Sequence, residues 1–233
     1  MDGDATPPMT QRLAAAAGVE RAPAADPWHD LSSGTLETAN GRRITFVHPR
    51  SPMELLLAQD FDDDEQAFPP YWAELWASGT ELAMAVSDAS PAGRVLEIGC
   101  GLGLPSVAAA LAGARVLATD RAPDAVAFAA HNARLSGTAV ETAALSWTPG
   151  DVLVERGPWD VVLAADVLYN ERNVRELLAL LPRLLAGGGE AWIADPDRPQ
   201  AAAFVAATRD AGHPVRVEES ATPGVSIIRV RRG

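Results

Sequence analysis

Residues 95–104 read Val-Leu-Glu-Ile-Gly-Cys-Gly-Leu-Gly-Leu, an apolar run that opens into glycines at 99, 101 and 103. Glycine lets a chain turn sharply and lets a ligand lie against bare main chain. A helix starting just behind such a turn offers unpaired N–H groups and a partial positive charge, a setting for an anionic group. Asp120 closes the next apolar run, Arg115–Thr119, where a carboxylate accepts both hydroxyls of a ribose. Dinucleotide turns carry a third glycine five residues after the first. Here that position is Leu104, and an acid, Glu97, stands two residues before Gly99. The residues imply a nucleoside-bearing ligand and leave its identity open.

The elements that must hold these residues follow a regular rhythm. Arg94–Ile98, Arg115–Thr119, Ala139–Leu145, Trp159–Ala165 and Glu190–Ala194 have strand character. Helical segments alternate with them at Pro105–Ala112, at Pro123–Leu135, along Val174, Leu177, Leu178, Leu181 and Leu185, and at Pro199–Ala211. Gly187-Gly188-Gly189 is expected to stop the third of these helices. Strands alternating with helices lie parallel with right-handed crossovers. His213–Glu219 and Val225–Val230 are joined only by Thr222-Pro223-Gly224, and so short a turn joins antiparallel neighbours. The expected fold is α/β: a Rossmann-like, seven-stranded, mostly parallel sheet with a C-terminal antiparallel hairpin and helices on both faces. Upstream, Arg43–His48 reads as a strand and Tyr71 to about Val86 as a helix. Residues 1–38, rich in Ala, Pro, Ser and Asp, read as a poorly ordered extension with a short helix at Gln11–Gly18, and residues 39–233 as the domain.

Composition excludes several classes of function. The 233 residues are 48% hydrophobic, enough for a full core, and the formal net charge is −12. Every basic residue is Arg; the chain has no lysine. That acid excess argues against a nucleic-acid footprint, which needs cations to replace phosphate counterions. Cys100 is the only cysteine, and His29, His48, His131 and His213 lack ligand spacing, so no metal set is expected. No apolar stretch reaches the length of a membrane span, and the acidic start is not a secretory signal, which makes the cytoplasm the default address.

The pattern of Glu97 with glycines at 99, 101 and 103 resembles motif I of the S-adenosylmethionine (SAM) methyltransferases, and the terminal hairpin matches their seven-strand layout. Two flanking segments sharpen the likeness. Pro69-Pro70-Tyr71-Trp72-Ala73-Glu74-Leu75-Trp76-Ala77-Ser78-Gly79-Thr80-Glu81-Leu82-Ala83 and Asp160-Val161-Val162-Leu163-Ala164-Ala165-Asp166-Val167-Leu168-Tyr169 resemble signature segments of methyltransferase family 16, the seven-β-strand lysine methyltransferases. The first of these, with Ala194-Asp195-Pro196-Asp197-Arg198, is similar to the branch that includes electron-transfer-flavoprotein β-subunit lysine methyltransferases, whose bacterial members are often called nicotinamide N-methyltransferase-like. That branch has Gly-Gly-Gln where this chain has Ser78-Gly79-Thr80, and Gly where it has Asp197.

The resemblance implies SAM as cofactor and transfer of a methyl group to an amine, a protein lysine or alternatively a small molecule; a SAM-binding protein without turnover is the non-enzymatic alternative. It implies cofactor contacts from Trp76, Gly79, Thr80, Glu97, Gly99, Cys100, Gly101, Gly103, Asp120, Ser146, Trp147 and Ala165, with Asp166 and Tyr169 as catalytic pair. Amides around residues 99–103 are expected to face the methionine end, and Glu97 to hold the loop or reach the α-amino group through water. Plainer readings stand beside these. Trp72 and Trp76, four apart, can be core packing on one helix face. Asp166 can cap the following helix, and Tyr169 can be a core Tyr bonded to a carbonyl. The acidic run Asp60–Glu65 is a solvated loop or a docking site for a basic substrate. Cys100 is expected to be buried rather than nucleophilic.

Overall fold

The computed structural model describes residues 26–58, 69–148 and 150–233. The expected helix at Gln11–Gly18 and the acidic run Asp60–Glu65 lie outside the described residues. The described residues open with strands β1 (Leu31–Glu37) and β2 (Arg43–Pro49), paired antiparallel with Leu31 opposite Pro49 and Glu37 opposite Arg43. A poorly ordered extension through residue 38 was expected; residues 1–25 of it lie outside the described residues, and Leu31–Glu37 departs from the expectation by forming a paired strand. Its signal is weak in sequence because Ser-Ser-Gly-Thr carries little apolar alternation. Gly34 is needed there, since a Cβ at that position would meet the Phe46 ring at 2.5 Å.

Helix α1 (Pro52–Ala58) follows. Tyr71–Ala73 is a single 3-10 turn, Glu74 is extended (φ −83°, ψ 143°), and helix α2 runs only from Ala77 to Ala89. The expected continuous helix from Tyr71 is therefore broken. Trp72 packs against the core and stacks at a tilt on Phe128, with centroids 5.4 Å apart, whereas Trp76 is 40% exposed. The two indoles do not share a helix face.

The main sheet comprises β3 (Arg94–Ile98), β4 (Arg115–Asp120), β5 (Glu141–Ala144), β6 (Trp159–Ala165), β7 (Leu185–Asp195), β8 (Val215–Glu219) and β9 (Ser226–Arg231). Its order is β5-β4-β3-β6-β7-β9-β8, parallel except for the two pairings of β9. The seven-strand expectation holds. β7 starts at Leu185, so the glycine run lies inside a strand instead of merely stopping a helix. A Cβ on Gly189 would press within 2.9 Å of the Trp159 carbonyl, and the β6–β7 register shifts at that point.

Helices α3 (Leu104–Leu111), α4 (Pro123–Leu135), α5 (Asp151–Glu155), α6 (Glu171–Leu184) and α7 (Pro199–Asp210) complete the described residues. Helices α2, α3 and α4 cover one sheet face with Leu82, Val86, Val107 and Phe128; α5, α6 and α7 cover the other with Leu153, Leu177, Leu181 and Phe204. Strands buried on both faces need apolar residues on both, as Val95-Leu96 and Val161-Val162-Leu163-Ala164 show. The β1–β2 hairpin docks on the α4 side, where Trp28 stacks on Phe128 with centroids 3.8 Å apart. No helix among the described residues is long and apolar enough to cross a membrane.

Candidate active site

The chain passes outward from β3 through β4 to β5, then jumps back to β6 on the other side of β3. Ligands of open α/β sheets bind at such a reversal, beyond the carboxyl ends of the strands. The glycine loop after β3 and Asp166 after β6 both sit there.

Gly99, Gly101 and Gly103 all have positive φ (64°, 49° and 77°), a conformation that L side chains rarely adopt. Gly103 also meets helix α4: an added Cβ would stand 2.6 Å from the Cβ of Ala129. The loop closes on itself. The N–H of Cys100 donates to the Thr119 carbonyl (2.9 Å), that of Gly101 to Asp120 Oδ2 (3.0 Å), and that of Gly103 to the Cys100 carbonyl (2.7 Å). Three of the amides expected to face a ligand are thus spent on the turn.

Glu97 fills the place at the helix start that the glycine pattern reserves for an anion. Its Oε2 accepts the N–H of Ser106 (2.9 Å) and a short hydrogen bond from the Ser106 hydroxyl, in the first turn of α3. Of the two expected roles for Glu97, the geometry is that of holding the loop to the helix. Burial pushes its carboxyl up to about 8, against the lowering effect of the two Ser106 hydrogen bonds. Ser106 carries no signature in the sequence; only its place nine residues beyond Glu97 in a strand–turn–helix unit could have singled it out.

Asp120 ends β4 almost fully buried, with Oδ2 on the Gly101 amide and Oδ1 on the Ala122 amide, each at 3.0 Å. Burial raises its carboxyl above the ordinary value, opposed by those amides. A carboxylate offers about four acceptor positions, so capacity for hydroxyl donors remains. Cys100 is buried, and burial, then the charges of Asp120 and Glu97, push its thiol well up. That leaves no thiolate nucleophile at neutral pH.

Gly79 and Thr80 lie in the first turn of α2, with open space beside Gly79 and the Thr80 hydroxyl donating to the Ala77 carbonyl at 2.8 Å. Trp76 immediately precedes that helix; its Nε1 donates to the Tyr71 carbonyl (2.8 Å), and the two rings meet edge to face. Ser146 is exposed beyond β5, while Trp147 packs partly into the core. The Leu145 N–H donates to the Asp120 carbonyl (2.8 Å), which ties this segment to the end of β4. Ala165, the last residue of β6, is partly buried.

Asp166 follows in a left-handed conformation (φ 58°) that is strained for a residue with a side chain. It does not cap the next helix. Asn170 does so, its side chain accepting the Asn173 N–H at 2.8 Å. Both Asp166 oxygens are buried without a hydrogen-bond partner among the described residues; Arg198 Nη2 stands 2.8 Å from Oδ1, within ion-pair reach but off line. Tyr169 is 49% exposed, which sets aside a core role. Arg198 also bonds Asp195, the buried residue that ends β7. Two further groups went unread in the sequence. Asn132 in α4 donates to the Leu102 carbonyl of the loop (3.0 Å) and pairs with both polar groups of Val47. Glu81 in α2 accepts from Thr222 Oγ1 (2.5 Å) and the Ala221 N–H in the β8–β9 turn.

Comparison with known proteins is consistent with this arrangement. A family model described as lysine methyltransferase matches residues 52–205. Protein N-lysine methyltransferase METTL21A of Danio rerio is 37% identical over 99 residues, 40% of this chain and 45% of that protein. The electron transfer flavoprotein beta subunit lysine methyltransferase of Danio rerio is 33% identical over 139 residues, 57% of this chain and 53% of that protein. The chain spans about half the length of these curated relatives. Among solved structures, the ribosomal protein L11 methylase of Lactobacillus delbrueckii subsp. bulgaricus aligns with a TM-score of 0.55 and 22% identity over 66% of this chain and 79% of that one. The magnesium protoporphyrin IX methyltransferase of Synechocystis PCC 6803 with bound SAM aligns at 0.50 and 24%, over 67% and 78%. These two structures establish the fold.

Proposed function

The chain belongs to the lysine methyltransferase family, and from that premise we propose that it methylates an amine, the side chain of a protein lysine, with SAM as donor. The observation that carries the reading is the pairing of two features at one sheet reversal: a glycine loop closed against Asp120, and a buried, unbonded Asp166 carboxylate one strand away.

The cradle fits the donor. A side chain on Gly101 would crowd the Trp72 carbonyl at 3.1 Å, so glycine lets the loop lie close against the Trp72 backbone. Asp120 keeps acceptor capacity for ribose hydroxyls, and Gly99, Cys100, Gly103, Ser146, Trp147 and Ala165 surround the same crevice in this proposal. When bound, SAM supplies an electrophilic methyl group on a sulfonium. Glu97 holds loop and helix together, and Gly79 and Thr80 at the start of α2 receive the carboxylate end.

Transfer is an in-line displacement, so catalysis consists largely of positioning the acceptor lone pair and excluding water. Asp166 accepts an N–H of the amine and orients its lone pair. The carboxylates of Asp166 and Asp195 against the guanidinium of Arg198 leave one negative charge, which matches one incoming ammonium. Trp76 and Tyr169 present aromatic faces that favour a nearby cation by ~0.5–2 kcal/mol. The acceptor's proton leaves through the exposed side of the site. The net charge of −12 suits a basic protein substrate.

The test is incubation with radiolabelled SAM and fractionated lysate, followed by sizing of the labelled product. A labelled protein carrying methyl-lysine is expected. A labelled metabolite points to the small-molecule alternative, and binding of SAM with no labelled product at all to the non-catalytic one. Because the chain has no lysine, methyl-lysine in the product cannot come from the enzyme itself.

A further inference from the structure

Resting on the amine-methylation reading, we propose that Arg198 is a positioning residue for Asp166, and that Asp195 acts through it. Asp195 ends β7 with no solvent exposure and spends both carboxylate oxygens on one residue: Oδ1 accepts the Arg198 N–H (2.8 Å) and Oδ2 accepts its Nη1–H (2.9 Å). Arg198 is thereby held at two points, its backbone N–H and its guanidinium, by the strand next to β6. Its Nη2 stands 2.8 Å from Asp166 Oδ1, and the Asp166 oxygens have no other partner among the described residues. The backbone links the same groups, since the Asp166 N–H donates to the Ala194 carbonyl (3.0 Å), one residue before Asp195.

Two further observations point the same way. Asp166 (φ 58°) and Asp197 (φ 54°) both adopt the left-handed conformation, so strained backbone flanks the relay on both strand ends. Burial works against the Arg198 charge, yet the two carboxylates outweigh it and hold the guanidinium above its ordinary value. A fork of fixed donors suits this task better than a flexible ammonium. Arg198 anchors one Asp166 oxygen and cancels one of two adjacent negative charges, which leaves the other oxygen for an N–H of the acceptor.

The test compares Arg198→Gln, Asp195→Asn, the double variant and Arg198→Lys, using the lysate protein that the wild type labels, together with crystal structures of the S-adenosylhomocysteine complexes. Arg198→Gln is expected to lower kcat about 10- to 100-fold while leaving S-adenosylhomocysteine affinity within about twofold. The double variant should lose no more than Arg198→Gln alone, because Asp195 acts only through Arg198. Arg198→Lys should recover part of kcat, and the Asp166 side chain should change orientation in Arg198→Gln. Additive losses, an unchanged kcat, or cofactor affinity falling in step with kcat would overturn the proposal. If the wild type labels no acceptor, the amine-methylation reading fails by itself. The crystal structures still decide the positioning, and an unmoved Asp166 in Arg198→Gln refutes it.

Discussion

Glu97 Oε2 lies 2.9 Å from the backbone nitrogen of Ser106, so a carboxyl oxygen from strand β3 takes up a free N–H at the start of helix α3. The pair couples the last turn of a strand to the first turn of a helix across the glycine loop. It also places a buried acid under the crevice where the cofactor is proposed to bind.

That burial makes stability depend on pH. The Glu97 carboxyl is held at about 8 in the folded chain, against an ordinary value of 4.5. A folded value above the unfolded one gives stability that is complete below about 4.5 and is lost as pH rises through about 8. Glu97→Gln keeps an acceptor for Ser106 but cannot titrate. Urea unfolding between about pH 5 and pH 9 should therefore show a shallower decline for the variant than for the wild type. Parallel curves would show that Glu97 does not carry the effect.

Gly99 and Gly103 differ in what an alanine would meet. At Gly103 the new methyl would stand 2.6 Å from Ala129 Cβ at φ 77°, whereas at Gly99 the nearest atom, Val167 Cγ1, is 3.5 Å away at φ 64°. Gly99→Ala should cost about 1–2 kcal/mol from backbone strain alone. Gly103→Ala adds overpacking and should cost about 2–5 kcal/mol. Chemical denaturation of the two variants checks the order; equal losses would contradict the close packing of α3 on α4.

Asn132 joins the hairpin to the glycine loop. It is fully buried, accepts the Val47 N–H and donates to the carbonyls of Val47 and Leu102. Asn132→Ala leaves those buried groups unpaired and should cost about 2–4 kcal/mol. It should also weaken S-adenosylhomocysteine binding, read by calorimetry on the still-folded variant, because the Leu102 carbonyl is no longer held. Unchanged affinity would confine Asn132 to a structural role. Deleting residues 1–38 removes β1 and the Trp28–Phe128 stack and should lower the melting temperature, although that cut falls outside the seven-stranded sheet.

Asp166→Asn keeps the shape and removes the charge. Methyl transfer should fall at least about 100-fold while S-adenosylhomocysteine affinity stays within about twofold, since Asp166 is proposed to touch the acceptor and not the donor. Full activity would remove Asp166 from the chemistry. A parallel loss of affinity would place it in the donor pocket instead.

The fold was legible in sequence wherever its cause is local. Strand β3 and helix α4 fall at the residues their patterns predict, because a short apolar run bounded by glycine and an apolar repeat of period 3.6 report burial directly. The glycines at 99, 101 and 103 declared a turn because positive φ is a property of single residues. The departure at Asp197, where the related branch has Gly, falls on a left-handed backbone. Less legible was the break at Glu74, since Pro-Pro-Tyr-Trp-Ala-Glu-Leu-Trp contains no glycine to mark it and the docking of Trp72 on Phe128 accompanies it.

By itself, then, the sequence determined the seven-strand order of elements, the glycine turn and the acids that end β4, β6 and β7, because spacing and backbone preference are written residue by residue. Only the tertiary structure decided that Glu97 answers Ser106, that the loop spends its own amides, that Leu31–Glu37 pairs with β2, and that Arg198 spans Asp195 and Asp166. Those outcomes depend on which strand ends and helix starts become neighbours once the sheet closes over its core. No local pattern encodes the distance between groups that the chain brings together only through burial.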